Sequence, residues 1–73
     1  MPEELLFLLR YDEAKHTLQN VVDMPDKEIN RMLLFLHQNH GNFPKRRRRE
    51  FEKLTDEEIQ RMQDAYRTIF EIA

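Results

Sequence analysis

The sequence has no cysteine, no serine and a single glycine among its 73 residues. Without cysteine, disulfide cross-links and thiolate metal sites are excluded, and a reducing intracellular compartment is the simpler expectation. A glycine-rich phosphate-binding loop is also excluded, because such loops need several glycines. For nucleophilic catalysis the chain offers only the threonines Thr17, Thr55 and Thr68.

An excess of charge of one sign is also missing, as are long apolar runs. The net charge is -2, so no overall field attracts nucleic acid or a membrane surface. The N-terminal apolar run covers residues 5–9, which is too short for the core of a signal peptide and far too short to cross a membrane. We therefore expect a cytoplasmic protein with no membrane contact.

The composition and the spacing of apolar residues predict a single all-α domain over residues 1–73. Apolar residues make up 40% and charged residues 36%, proportions that favour packed helices over disorder. Apolar spacings of three and four predict long helices at about 3–22, 25–38 and 56–72, with a short basic helix at about 44–51. The short link between the first two helices favours antiparallel contact. The predicted core is Tyr11, Leu18, Ile29, Leu33, Leu36, Phe51, Leu54, Ile59, Met62, Tyr66 and Ile69; Leu34 and Phe35 widen the apolar face of the second helix.

Local signals predict where the helices start and stop. Pro25 and Pro44 suit the first position of a helix, whose N–H needs no partner. Gly41 suits the left-handed conformation that ends many helices. Thr55 is followed three residues later by Glu58, which predicts a capping box at the start of the last helix.

These signals leave little for catalysis. Thr55 is used by the cap, and the abundant carboxylates lie in first turns, where they complement helix dipoles. His37 and His40 are three residues apart, but no third ligand has a suitable spacing. We expect no catalytic residue, no cofactor, no metal and no enzymatic activity for this segment.

A basic run is the first candidate binding feature. Six of the 12 basic residues lie within nine positions: Lys45, Arg46, Arg47, Arg48, Arg49 and Lys53. Their mutual repulsion is offset only by Glu50, Glu52 and the acids at 56–58. The run suits a helix-turn-helix-like nucleic-acid-binding patch. It also suits a basic face that is solvated or paired within the domain, with arginine stems lying on apolar surface.

The N-terminal leucines are the second candidate. Residues 5–9 are apolar on every side of a helix, and so small a domain can hardly bury all of them. Either part of the run is tolerated surface, or it packs on a second copy, on another domain or on a target protein. The interface candidates are Leu5, Leu6, Leu8 and Leu9.

Several segments together resemble the C-terminal tail region of bacterial Fic-family proteins. The resemblance covers nearly the whole chain and rests on their order and spacing: LRYD at 9–12, VDMPD at 22–26, LHQNHG at 36–41, KRR at 45–47 with Phe51, and LTDEEI at 54–59. Fic-family enzymes transfer AMP from ATP to a hydroxyl of a target protein, using the signature HxFxxGNGR in a separate helical domain.

That signature is absent here, since residues 40–43, HGNF, are similar to it only superficially. The family's inhibitory pattern, Ser or Thr followed four residues later by Glu and then Gly or Asn, is absent too. The resemblance therefore implies a non-catalytic accessory module, a C-terminal fragment of a longer protein. Its partner would be the catalytic domain, a target or a second copy.

Overall fold

A computed structural model of the chain describes residues 2–72, without the side chain of Glu3. Within that range the chain forms three α-helices and one 3₁₀-helix, and no strand occurs there. The helices are α1 (Glu3–Val21), α2 (Asp26–Gln38), the 3₁₀-helix η1 (Lys45–Phe51) and α3 (Asp56–Phe70). The prediction of a small all-α domain is confirmed.

The helix starts differ from the prediction at the prolines. Pro25 and Pro44 each lie one residue before the first helical residue, so placing them at the first helical position was wrong. Both have extended ψ angles, 149° and 119°, and each carbonyl accepts a bond from the new helix, such as Arg47 N–H to Pro44 at 2.9 Å. The prolines therefore act as cap residues that fix the direction of entry.

The helix ends follow local backbone conformation. Gly41 has φ 87°, and His40 before it is also left-handed at φ 54°. A Cβ on Gly41 would lie 2.8 Å from Cγ of Arg67, so both conformation and space require glycine there. The last helix stops at Phe70, two residues earlier than predicted, because Glu71 turns left-handed at φ 55°.

The predicted capping box is confirmed. The Thr55 hydroxyl accepts the Glu58 N–H at 3.1 Å, and the Glu58 carboxylate accepts the Thr55 N–H at 2.9 Å. Two donors that the first turn would otherwise leave without partners are satisfied in this way. The last helix therefore has a defined start next to the basic segment.

Helices α1 and α2 run antiparallel. The Tyr11 hydroxyl donates to the Asn30 side chain, and the rings of Phe7 and His37 stack with centroids 4.0 Å apart. The contact nearer the start of α1 is thus the one nearer the end of α2, which confirms the predicted antiparallel pairing. Helix α1 also packs extensively against α3, where the rings of Phe7 and Phe70 lie 6.0 Å apart.

The predicted core is buried apart from Tyr11, and one residue expected to widen the apolar face of α2 is exposed. Tyr11 is half-buried, because its hydroxyl bonds Asn30 at the edge of the α1–α2 contact. Leu34 is 48% exposed, so its assignment to the apolar face of α2 was wrong, whereas the neighbouring Phe35 is buried. The core also includes Met24, which the link between α1 and α2 supplies.

The basic segment adopts 3₁₀ rather than α geometry. A 3₁₀-helix has about three residues per turn, compared with about 3.6 in an α-helix. Phe43 and Phe51 both meet Phe35 of α2: the ring centroids of Phe35 and Phe51 are 5.7 Å apart, as are those of Phe43 and Phe51. This aromatic cluster joins η1 to α2.

Candidate interaction surfaces

Helix α1 has two apolar faces, and only one of them faces the core. Phe7 and Leu18 are buried, but Leu5, Leu8 and Leu9 are 46%, 69% and 65% exposed. These three residues form the leucine face. Of the four predicted interface residues, Leu6 differs: it is half-buried and packs against the core.

Leu6 lines a small cavity of about 70 Å³ whose other residues belong to α2, α3 and the segment after α3. These are His37, Tyr66, Phe70 and Ile72. The side chain of Leu6 therefore contributes to the interior of the domain, and the leucine face is the part of the apolar run that solvent reaches.

Leu34 is a further exposed leucine, on α2. Leu8 lies three residues before Tyr11, and Leu34 lies four residues after Asn30, the partner of Tyr11. A helix rises about 1.5 Å per residue, so these steps are about 4.5 and 6 Å in the same direction along the antiparallel pair. Leu34 is thus level with the turn of α1 that contains Leu8.

Acidic side chains border the leucine face. Glu4 lies four residues before Leu8, and Asp12 lies four residues after it, so both are neighbours on the helix surface. Both are exposed, and no ion pair or side-chain hydrogen bond joins either one to another residue in the described range 2–72. Glu13 is also nearby, but it pairs with Arg10 at 3.6 Å.

Part of the basic run is engaged within the domain. The guanidinium of Arg47 lies 4.3 Å from the centre of the Phe35 ring and also pairs with the Glu50 carboxylate. Arg31 of α2 reaches the same carboxylate at 2.6 Å. The hydrogen bond from Arg47, more than that from Arg31, lowers the pKa of Glu50 below its ordinary value. The same bond raises the pKa of Arg47.

Arg48 closes the end of η1. Its guanidinium donates to the carbonyl oxygen of Phe51 at 2.5 Å and also to that of Leu54, and it lies 3.4 Å from the Asp56 carboxylate. The Phe51 carbonyl also accepts the Leu54 N–H at 3.0 Å, so Arg48 is a second donor to Phe51 and supplies a donor to the Leu54 carbonyl in the turn before α3. Glu50 and Asp56 therefore offset part of the repulsion within the basic run, as expected. Glu52 was expected to contribute as well, but it forms no ion pair within residues 2–72.

The remaining cations face solvent. Four of the six predicted anion-binding residues are exposed and have no ion pair with any residue in the described part of the chain: Lys45, Arg46, Arg49 and Lys53. The structure thus divides the basic run into two structural arginines and four exposed cations. Sequence spacing alone could not make that division, because it depends on Phe35, Arg31 and the carbonyls after η1.

An open cleft of about 430 Å³ lies between the α1–α2 link and the segment from η1 to α3. The buried residues Met24 and Phe51 form part of its lining, and Asp23, Arg49 and Lys53 belong to its charged rim. No sequence pattern predicted this cleft, because its two walls are about 25 residues apart in the chain. Its rim contains charges of both signs and favours no single class of ligand.

Local contacts engage His37 and Thr68. Nδ1 of His37 lies 3.2 Å from the Tyr66 hydroxyl, and its ring stacks on Phe7. Thr68 donates to the carbonyl oxygen of Asp64 at 2.9 Å, one turn earlier in α3. Among residues 2–72, no group of three or more His, Asp or Glu side chains is arranged to hold a metal ion.

None of the helices formed by residues 2–72 combines the length and the apolar content that crossing a membrane requires. Comparisons with known proteins give no match to a family model, to a curated protein or to a solved structure. The resemblance to the tail region of Fic-family proteins therefore rests on the sequence segments alone and stays a prediction.

The two roles within the basic run predict different effects of neighbouring substitutions. Arg48→Ala leaves the Leu54 carbonyl without its arginine donor and leaves the Phe51 carbonyl only the N–H of Leu54, so it should lower the free energy of unfolding by about 1–3 kcal/mol. Arg49→Ala removes an exposed cation and should change it by less than about 0.5 kcal/mol. Urea unfolding followed by circular dichroism measures both, and equal effects would contradict the assignment.

Proposed function

We propose that this domain is a non-catalytic accessory module that binds a protein partner through the leucine face of α1. The observation that supports the proposal is the exposure of Leu5, Leu8 and Leu9 at 46–69%. In the described range, the other large apolar side chains are buried or half-buried, except Leu34. The domain therefore completes its core without the leucine face.

The energetics favour an interface over tolerated surface. Burying a leucine side chain fully contributes about 1.5–3 kcal/mol, and folding of the domain gains little of this for Leu8 and Leu9. Exposed apolar side chains are ordinary when they are scattered, but contiguous ones mark interaction sites. Leu5, Leu8 and Leu9 lie at helix spacings of three and four, so they form one patch.

The Fic resemblance adds a more specific proposal: the partner is the AMP-transferring catalytic domain of a longer protein. Its support is the order of the sequence segments named above. The reading frame that encodes this segment tests it directly. A catalytic signature HxFxxGNGR in the same frame is the expected result, and a frame without that signature would remove the Fic assignment while leaving the leucine face as a binding surface.

Site-specific cross-linking tests the binding surface itself. A photoreactive phenylalanine analogue at position 8, introduced in the organism that encodes the protein, should give a product of one discrete mass. The same analogue at position 60, on the exposed side of α3, should not give that product. Leu5→Glu with Leu9→Glu should abolish the product, because two carboxylates cannot be desolvated in an apolar interface.

A stability measurement is the control for that experiment. The Leu5→Glu, Leu9→Glu variant should keep its helical circular dichroism and lose less than about 1 kcal/mol of unfolding free energy. Leu18→Ala, on the buried face of the same helix, should lose about 2–5 kcal/mol. If the double variant were destabilised as much as Leu18→Ala, the leucines would serve the fold and the proposal would lose its support.

A second candidate function is nucleic-acid binding by the four exposed cations. Lys45, Arg46, Arg49 and Lys53 have no ion pair within residues 2–72, and that observation favours it. The seven residues of η1 form a short 3₁₀-helix rather than the long α-helix that enters a major groove. Binding would therefore be to phosphates, without base recognition.

Fluorescence anisotropy with a labelled DNA duplex tests this candidate. Four phosphate contacts predict a slope of about -3.6 in a plot of log binding constant against log salt concentration. Arg46→Ala with Arg49→Ala should reduce the slope by about half. No binding at low salt would eliminate nucleic acid as a ligand.

A further inference from the structure

We propose that the occupant of the leucine face is an amphipathic helix whose apolar stripe is flanked by lysines and arginines. This inference rests on the proposed function and specifies its partner by chemistry. Two observations support it: the arrangement of exposed leucines on two antiparallel helices, and the unpaired carboxylates beside them.

The first observation concerns shape. Leu5, Leu8 and Leu9 lie on α1, and Leu34 lies level with Leu8 on the adjacent α2. A pair of antiparallel helices that exposes leucines at the same level suits a further helix packed lengthwise, with its own apolar residues at spacings of three and four. The surface is about one and a half turns long on α1, since its leucines cover residues 5–9.

The second observation concerns charge. Glu4 and Asp12 lie at either end of the leucine face, are exposed and have no ion pair within the described residues. Of the basic residues on the same helix, Arg10 pairs with Glu13 at 3.6 Å and Lys15 pairs with Asp26 of α2 at 3.1 Å. The nearest basic side chains are thus engaged, and the surroundings of the leucines have an excess of negative charge.

The charge pattern argues against a second copy of this chain as the occupant. Two leucine faces packed together would bring Glu4 of one copy close to Glu4 or Asp12 of the other. Like charges at an interface disfavour association, whereas a lysine or arginine at the same place would be attracted. The acidic border therefore selects a basic partner over self-association.

Two synthetic helical peptides of about 20 residues test the inference. Both have the same leucine stripe; one is flanked by lysines and arginines, and its twin has glutamates at those positions. In about 50 mM salt the basic peptide should bind roughly tenfold more tightly than the acidic twin, and in about 0.5 M salt this preference should largely disappear. Isothermal titration calorimetry measures both affinities.

Charge and apolar contributions are separated by two variants of the domain. Glu4→Lys with Asp12→Lys should reverse the preference between the peptides. Leu5→Glu with Leu9→Glu should abolish binding of both, while circular dichroism shows that its helices are intact. Equal binding of the two peptides that still depends on the leucines would overturn the basic-partner inference and leave the proposed function standing.

Three other outcomes also overturn the inference. If neither peptide binds but the cross-link at position 8 persists, the partner is not such a helix, although the surface binds protein. If neither peptide binds and the cross-link is also absent, the proposed function fails with it. Sedimentation equilibrium covers the remaining case: a dimer that Leu5→Glu with Leu9→Glu dissociates would identify a second copy as the occupant.

Discussion

The contact of Phe51 with Phe35 is the interaction on which the second half of the structure depends. It holds η1 against α2, with ring centroids 5.7 Å apart and planes at 90°. A short 3₁₀-helix has poor hydrogen-bond geometry and little stability of its own, so its position must come from side chains. Edge-to-face aromatic pairs contribute about 0.5–1.5 kcal/mol beyond burial, and Phe43 adds a third ring to the cluster.

This cluster also explains why so many arginines lie in one short segment. Arg47 lies over the Phe35 ring, and Arg31 of α2 lies over the Phe51 ring with its guanidinium carbon 5.2 Å from the ring centre. Glu50 accepts hydrogen bonds from both arginines and so connects the two guanidinium groups that lie over the rings. A weakly hydrated, planar guanidinium can stack on an aromatic ring and pair with a carboxylate at once, which a lysine ammonium cannot do as well.

The sequence predicted the elements with strong local signals and failed where tertiary contacts decide. The Thr55–Glu58 capping box and the Gly41 stop depend on a few neighbouring residues, so spacing was enough to find them. The exposure of Leu34 was missed although helix spacing indicates it, since at about 3.6 residues per turn Leu34 lies roughly opposite the face that Ile29, Met32, Leu33 and Leu36 form. By contrast, nothing in a run of four identical arginines separates Arg48, which bonds two carbonyls, from the exposed Arg49.

The packing of α1 on α3 has a consequence for synthesis of the chain. Phe7 meets Phe70, so the first helix completes its buried face only with side chains made 63 residues later. Contacts between distant parts of a sequence close late in folding, since the loop between them must first be ordered. During translation, α1 therefore leaves the ribosome with both of its apolar faces uncovered. At that stage the nascent helix exposes apolar side chains on both faces, and acidic residues such as Glu4 and Asp12 help to keep it in solution.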